Sequence, residues 1–276
     1  MMIKLIATDM DGTLLNDDKK MPATIFEVIN RLHERDIVFA VASGRNHHSL
    51  LKLYDQIKND IVFIANNGAI MIDKGQTIFT NPINREIIGQ LIETILTLPN
   101  LVPILSGLES IYIFDEAYLN NIPTDLIATH FPTYKVVKTL AEIPESEQIL
   151  QVSIFDPEHN SKVNAYDKLA DFHESVSMAV SELQWLDIVS LGVNKGIAIR
   201  QLQETLKADP VKTMVFGDQM NDYEMMQQAY YSYAMDNAVA EIKAVANFIA
   251  PSNEEEGVIR IIENFLSMTD NITALD

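Results

Sequence analysis

The stretch Leu5-Ile6-Ala7-Thr8-Asp9-Met10-Asp11-Gly12-Thr13-Leu14 restricts what this chain can be more than any other. Its apolar start reads as a buried strand, which ends in two aspartates one residue apart and then a Gly-Thr turn. Asp9 and Asp11 are therefore expected at the carboxyl end of a strand, the edge at which open α/β sheets bind their ligands. A strand-end aspartate is also a nucleophile able to form an acyl phosphate. The same letters suit a plain polar turn. They do not suit an EF-hand calcium loop, whose glycine falls at the sixth position, whereas Gly12 is the fourth residue counted from Asp9.

The rest of the N-terminal third alternates in the same manner. Ile3 to Asp9 reads as a strand, and Pro22 to Arg35 as a helix with Ile25, Ile29 and Leu32 on one face. Ile37 to Ser43 is a second apolar run, ending in Ser43-Gly44-Arg45. Ile61 to Ala65 is a third, ending in Asn66-Asn67-Gly68, with a hairpin across Lys74-Gly75 after it. The alternation returns near the C-terminus: helix at Gly196 to Leu206, strand at Thr213 to Phe216 ending in Gly217-Asp218, helix at Asn221 to Gln228, short strands at Tyr231 to Met235 and Phe248 to Ala250, and a closing helix at Glu254 to Leu266. Strands separated by helices imply a parallel sheet with right-handed crossovers. The middle differs. Candidate strands at Leu101 to Leu105, Ile111 to Phe114, Ile149 to Phe155, Val176 to Val180 and Leu186 to Val189 come partly in adjacent pairs, with helical patterns at Arg85 to Leu96 and Lys162 to Phe172. The expected fold is α/β: a Rossmann-like parallel-sheet core of residues 1–82 and 191–276, with an α+β cap, residues 83–190, inserted between its halves.

Composition removes several function classes. The formal net charge of −19 opposes nucleic acid or an anionic membrane as partner, while plain solubility accounts for the acidity itself. There is no cysteine, so disulfides and thiolate metal sites are excluded, and this suits a cytoplasmic protein. Asp9 and Asp11 interrupt the first apolar run, so it does not read as a signal peptide, and no run approaches the ~20 apolar residues needed to cross a bilayer. No His-Glu-x-x-His, Walker lysine loop or Gly-x-Gly-x-x-Gly occurs; His47-His48 belong to a helix face, and Trp185 and Met225-Met226 to packing.

Four segments at expected strand or helix ends carry chemistry: Asp9-Met10-Asp11-Gly12-Thr13, Ser43-Gly44-Arg45, Lys195-Gly196, and Gly217-Asp218-Gln219-Met220-Asn221-Asp222. Each has an ordinary explanation alone. Ser43 could cap the next helix, Lys195 could be a solvated lysine, and Asp218 to Asp222 could be a turn with a helix cap. Together they contain what phosphoryl transfer requires: a nucleophile, acidic oxygen ligands for Mg2+, and donors for the phosphoryl oxygens. In a parallel sheet they converge on one edge.

In this order the four segments resemble the haloacid dehalogenase (HAD) superfamily, and within it the Cof-type phosphatases with a large α/β cap, over the whole length of the chain. The resemblance implies that Asp9 is the nucleophile forming a phosphoaspartate, and that Asp11 is acid for the leaving alcohol and then base for water. It implies Mg2+ held by the carboxylates of Asp9 and Asp218 and the backbone carbonyl of Asp11, with Asp222 supporting the metal site. Ser43 and Lys195 would bind the phosphoryl group. Gly44 and Arg45 follow the family's Gly-Arg pattern, Asn67-Gly68 resembles its Asn-Gly turn, and Asn221 belongs to its Gly-Asp-x-x-Asn-Asp segment. Asn237 resembles an asparagine near the family's site. The expectation is a Mg2+-dependent phosphatase for small phosphorylated metabolites, acting as a monomer or weak homo-oligomer. Its rivals are a phosphomutase and, from another class, a phospho-accepting receiver or a non-catalytic phospho-ligand-binding protein. A receiver needs neither Asp11 nor an insert of roughly a hundred residues.

Overall fold

A computed structural model describes residues 3–114, 122–131 and 133–273. In chain order the first part holds β1 (Leu5–Thr8), α1 (Ile25–His33), β2 (Val38–Ala42), α2 (His47–Leu53), β3 (Val62–Ala65), β4 (Ile70–Asp73) and β5 (Gln76–Thr80). The middle holds α3 (Arg85–Ile95), β6 (Val102–Gly107), β7 (Ile111–Phe114), α4 (Thr124–His130), β8 (Lys135–Val137), β9 (Ile149–Phe155), α5 (Ser161–Asn164), β10 (Val176–Glu182) and β11 (Trp185–Ser190). The last part holds α6 (Lys195–Leu206), β12 (Thr213–Gly217), α7 (Tyr223–Met226), β13 (Tyr231–Met235), α8 (Ala240–Val245), β14 (Phe248–Ala250) and α9 (Gly257–Thr273).

The first and last parts share one eight-stranded sheet in the order β14-β13-β12-β1-β2-β3-β4-β5, parallel from β14 to β3 and closed by the antiparallel β4-β5 hairpin. β1 sits at its centre because all four of its side chains are buried, as a strand covered by helices on both faces demands. Strand order proceeds outward from β1 through β2 and β3 on one side, and resumes with β12 on the other, so the switch point lies at β1 and β12. α1 buries Ile25, Val28, Ile29 and Leu32, one stripe at helical spacing, against this sheet. The middle part folds into a second sheet, β10-β11-β9-β6-β7-β8, antiparallel except for β7-β8. Its alternate residues serve two cores. Leu105, Val152, Ile154, Leu186 and Ile188 pack beneath α3, while Val102, Ile104, Phe155 and Trp185 pack with Phe131 on the other face. The architecture is a Rossmann-like parallel-sheet core with an inserted α+β cap. Among the described residues, no helix is long and apolar enough to cross a membrane.

Several elements depart from the sequence pattern. Pro22 precedes α1 and accepts from Ile25 in a separate turn, so the helix starts later than its periodicity indicated. The pattern over 162–172 is split by Ala165, at φ −121° and ψ −63°, into α5 and a 3-10 segment, Tyr166–Phe172. The pattern over 221–228 begins as a 3-10 turn, Met220–Asp222, before α7. The closing helix begins at Gly257, because Ser252 and Glu255 form their own capping box and Glu256 adopts a positive φ of 56°.

Cap and core are tied across the strand ends. Asn46 donates to the His130 carbonyl at 2.5 Å, and the buried His47 ring places Nε2 3.0 Å from the Leu108 carbonyl. Burial, and then the neighbouring His48, lowers the His47 pKa to about 4. A neutral imidazole favoured in the folded state contributes stability fully above its unfolded value of about 6.5, and this is lost as pH falls towards 4. Thermal unfolding followed over this range should lose on the order of 3 kcal/mol from His47 alone. The His47→Gln protein should lose correspondingly less on acidification; parallel pH curves for the two proteins would contradict the assignment.

Candidate active site

Asp9 directly follows β1, and its backbone N–H donates to the Phe216 carbonyl at 3.0 Å, so the ends of β1 and β12 are pinned side by side. That pairing brings Asp9 to Asp218, which follows Gly217 at the end of β12. Carboxylate oxygens of Asp9, Asp218 and Asp222 lie within 4.8 Å of one another, and all three residues are buried. Lys195 enters from the first turn of α6. Its Nζ donates to Asp9 Oδ1 at 2.6 Å and Asp222 Oδ1 at 2.7 Å, and its side chain is wholly excluded from solvent. Gly196 permits this approach, since a Cβ there would lie 2.5 Å from the Glu224 backbone. The Asn194 side chain caps α6 by accepting from the Ile197 N–H. The other Asp222 oxygen accepts from the N–H groups of Asp218 and Gln219, fixing the loop.

The charge balance of this cluster is incomplete. Burial, then repulsion from Asp222, raises the Asp9 pKa well above the carboxylate range despite the opposing pull of Lys195. Burial and Asp222 push Asp218 up to about 7. One ammonium faces three carboxylates, and all of the acidic donors are hard oxygens. The set fits a divalent cation of the Mg2+ class and offers nothing soft. Gly12, at φ +77°, completes the cradle: a Cβ there would fall 2.4 Å from Asp218 Oδ2. Thr13 Oγ1 donates to Asp218 Oδ1 at 2.8 Å, and Asn237 donates to the Gly12 carbonyl at 2.7 Å.

Asp11 lies across the cleft in a different environment. Arg45 grips it with Nε and NH2, each at 2.7 Å, and Lys19 adds an ammonium at 3.0 Å. Burial alone would raise its pKa, but the Arg45 bonds and charge, with Lys19, outweigh it and hold the carboxyl far below the usual range. Lys19 also lies 3.7 Å from Glu182 of the cap. Asn67 and Asn66 take left-handed backbone conformations, which lets the loop after β3 turn back onto Ser43 and Arg45. The next helix, α2, is capped by Asn46 rather than Ser43, so the Ser43 hydroxyl is left at the strand end, accepting from the Arg45 N–H.

A cleft of about 630 Å³ joins these groups, with Asp9, Asp11, Ser43, Gly44, Arg45, Asp218 and Asn221 in its wall. Lys195 and Asn67 border an adjoining cleft of about 670 Å³ that also reaches Asn221. Asp222 stands behind, in contact with Lys195. The cap supplies residues that motif reading passed over, Gln151, Ser153, Asp187 and His130, and Trp185, which packs with Phe131 and Phe155 as its sequence reading expects, also reaches the cleft wall. One signal was available for three of them. Gln151, Ser153 and Asp187 are polar interruptions in otherwise apolar strands. Thr13 stands in the Asp9 segment, where the sequence gives it no role, and Lys19 was missed because a lysine in a polar loop carries no periodic signature.

The profile of the haloacid dehalogenase-like hydrolases matches residues 6–262. The chain belongs to that family. It is an enzyme of the family's Cof-type phosphatase branch. Over 96% of this chain and 97% of the relative, it is 31% identical to the 5-amino-6-(5-phospho-D-ribitylamino)uracil phosphatase YbjI of Escherichia coli strain K12. It is 26% identical, over 96% and 98% of the two chains, to the corresponding YitU phosphatase of Bacillus subtilis strain 168. The crystal structure of SMU.1108c from Streptococcus mutans UA159 superimposes with a TM-score of 0.87 at 32% identity, covering 96% of this chain and 99% of that one.

Proposed function

We propose that this HAD enzyme is a Mg2+-dependent phosphatase that hydrolyses small phosphorylated metabolites, sugar phosphates or related esters, through a phosphoaspartate on Asp9. The supporting observation is the buried cluster in which Lys195 clamps one oxygen of Asp9 against Asp218 and Asp222. Residues 1–82 and 191–276 act as the catalytic core and residues 83–190 as a cap that closes over the cleft. The protein works in the cytoplasm, as a monomer or weak homo-oligomer.

In the first step an Asp9 carboxylate oxygen forms a bond to phosphorus while the bond to the ester oxygen breaks. The leaving oxygen takes the electron pair and a proton from Asp11. Arg45 and Lys19 hold Asp11 ionised in the free protein. Asp11 can carry that proton once an arriving phosphate draws Arg45 onto its own oxygens. The Ser43 hydroxyl and Gly44 backbone donate to the phosphoryl group, Lys195 neutralises it, and Asn67 and Asn221 hold the ester from the far side. Mg2+, held by Asp9, Asp218 and the Asp11 carbonyl with Asp222 in support, neutralises phosphate charge when bound. In the second step Asp11 takes a proton from water, whose oxygen attacks phosphorus and restores Asp9.

Phosphate release should require Mg2+, vanish in chelator and return when Mg2+ is restored, with calcium a poor substitute because its looser coordination disturbs in-line attack. Assay of inorganic phosphate alongside a search for phosphorylated isomers separates a phosphatase from a phosphomutase. Full turnover in chelator would contradict this reading. The ribitylamino-uracil phosphate named for the E. coli and B. subtilis relatives is the first ester to offer.

A further inference from the structure

The core sheet ends on one side at β14, Phe248-Ile249-Ala250, and this edge is apolar on both faces. Phe248 is the register partner of Tyr233 on β13, and Tyr233 is the register partner of Phe216 on β12. The rings stack at 5.1 and 5.2 Å, so an aromatic row crosses three strands and stops at the open edge. Tyr230 widens it. Its ring meets that of Phe248 edge-on at 6.0 Å, its N–H donates to the Pro210 carbonyl, next to Val211, and its carbonyl accepts from Asn247 Nδ2. Ile249 follows Phe248 in the strand and therefore points to the opposite face. Ile249 and Tyr230 are each 51% exposed, Val211 41% and Phe248 36%.

An open sheet edge is a template for pairing, and proteins usually guard it. Among the described residues the other three sheet ends are guarded. On β5, the pairs Met71–Phe79 and Ile72–Thr77 leave Ile78 as a bulge. On β10, the pairs Val180–Leu186 and Glu182–Trp185 leave Ser181 as another, beside the charge of Glu182. β8 opens with Lys135. β14 has neither a bulge nor a charge. Residues 225–235 and 244–253 contain no charged side chain. The flanking segments, residues 207–212 and α8, carry Lys207, Lys212 and Lys243 against Asp209 and Glu241, three cations to two anions, in a chain whose net charge is −19. Two copies of this acidic chain can approach on this face without the repulsion they meet elsewhere.

We propose that β14 is the contact through which two copies of this chain associate, antiparallel about a two-fold axis at Ile249. A two-fold contact must be complementary to itself. The three-residue strand pairs completely with its own copy only when Ile249 faces Ile249 of the partner subunit. That register sets Phe248 opposite Ala250 of the partner subunit, large against small, and carries the aromatic row on into a second sheet. The chain leaves the core for the cap after β5, at the opposite end of the sheet, so both caps and both clefts stay free. The four exposed side chains offer roughly 300 Å² per copy. A standard stable interface takes about 800 Å² from each partner, so this association is weak and concentration-dependent.

Sedimentation velocity of the full chain should show monomer at about 1 µM and a growing dimer fraction up to about 100 µM, the range of a small interface. Ile249→Lys brings two like charges together at the axis and should leave the protein monomeric throughout. Its melting temperature should stay near that of the wild type, because Ile249 is half-exposed and lies outside the active-site cleft. The chain has no cysteine, so Ile249→Cys places a single thiol at the axis. Opposed Cα atoms of antiparallel strands lie about 4.5–5.5 Å apart, within reach of a disulfide. Mild oxidation should convert this variant to a covalent dimer, whereas Ile78→Cys, on the β5 edge and 50% exposed, should remain monomeric. A wild-type protein that is monomeric at every concentration would overturn the proposal. So would a dimer that survives Ile249→Lys, or cross-linking of Ile78→Cys as fast as that of Ile249→Cys.

Discussion

Asp9→Asn should reduce turnover by at least about 10⁴-fold, the scale on which removal of a covalent nucleophile is felt. The amide has the shape of the carboxylate and none of its nucleophilicity. It keeps an oxygen for Lys195, which also retains Asp222 as a partner at 2.7 Å. The fold should therefore persist. In the absence of divalent cations the melting temperature should hold or rise, because Asp9 is one of three crowded carboxylates and its charged form is disfavoured by burial and by Asp222. Phosphate release and trapping of a labelled phosphoenzyme are the measurements. Appreciable turnover by a well-folded variant, with deamidation ruled out by mass spectrometry, would remove Asp9 from the nucleophile's role.

Lys195→Met should damage both stability and catalysis. Lys195 is fully buried, and its ammonium is the counter-charge for Asp9 and Asp222; burial alone would lower its pKa, but those two carboxylates raise it. Breaking a buried ion pair from one side strands the remaining charges, at a cost of about 3–5 kcal/mol. For a chain of this size that is a fall in melting temperature of roughly 10 °C. Turnover should fall by about 10³-fold or more, since the group that offsets phosphoryl charge is gone. Adding Asp222→Asn should return part of the stability and none of the activity, which separates the two roles. A Lys195→Met protein with wild-type melting and turnover would contradict the arrangement described for the cluster.

The parts of this protein legible in its sequence are those governed by local pattern. Apolar runs of four or five residues ending in Asp9, Ser43, Asn66 and Asp218 announce buried parallel strands, because a strand covered on both faces has no polar side. Their polar ends must then meet at one edge, since parallel strands point the same way. That alone groups Asp9, Asp11, Ser43 and Asp218, and the adjacent pairs of strands between residues 101 and 190 mark a sheet of another kind.

Other features were decided in three dimensions. Whether Ser43 capped a helix depended on where α2 began, and Asn46 took that place. Whether Lys195 was solvated depended on how closely α6 could pack on α7, which the missing side chain of Gly196 allows. The grip of Arg45 on Asp11 joins segments 34 residues apart, Lys19 closes on the same carboxylate from within the loop after β1, and no spacing rule predicts either. The cap wall is the clearest case. Gln151, Ser153 and Asp187 lie on strands whose two faces both pack against other elements, so period-two alternation states which residues share a face but not what that face meets. Only the docking of cap on core turns that face towards Asp9, because the orientation of one sheet above another is set by contacts among all the residues between them and by no local segment of the chain.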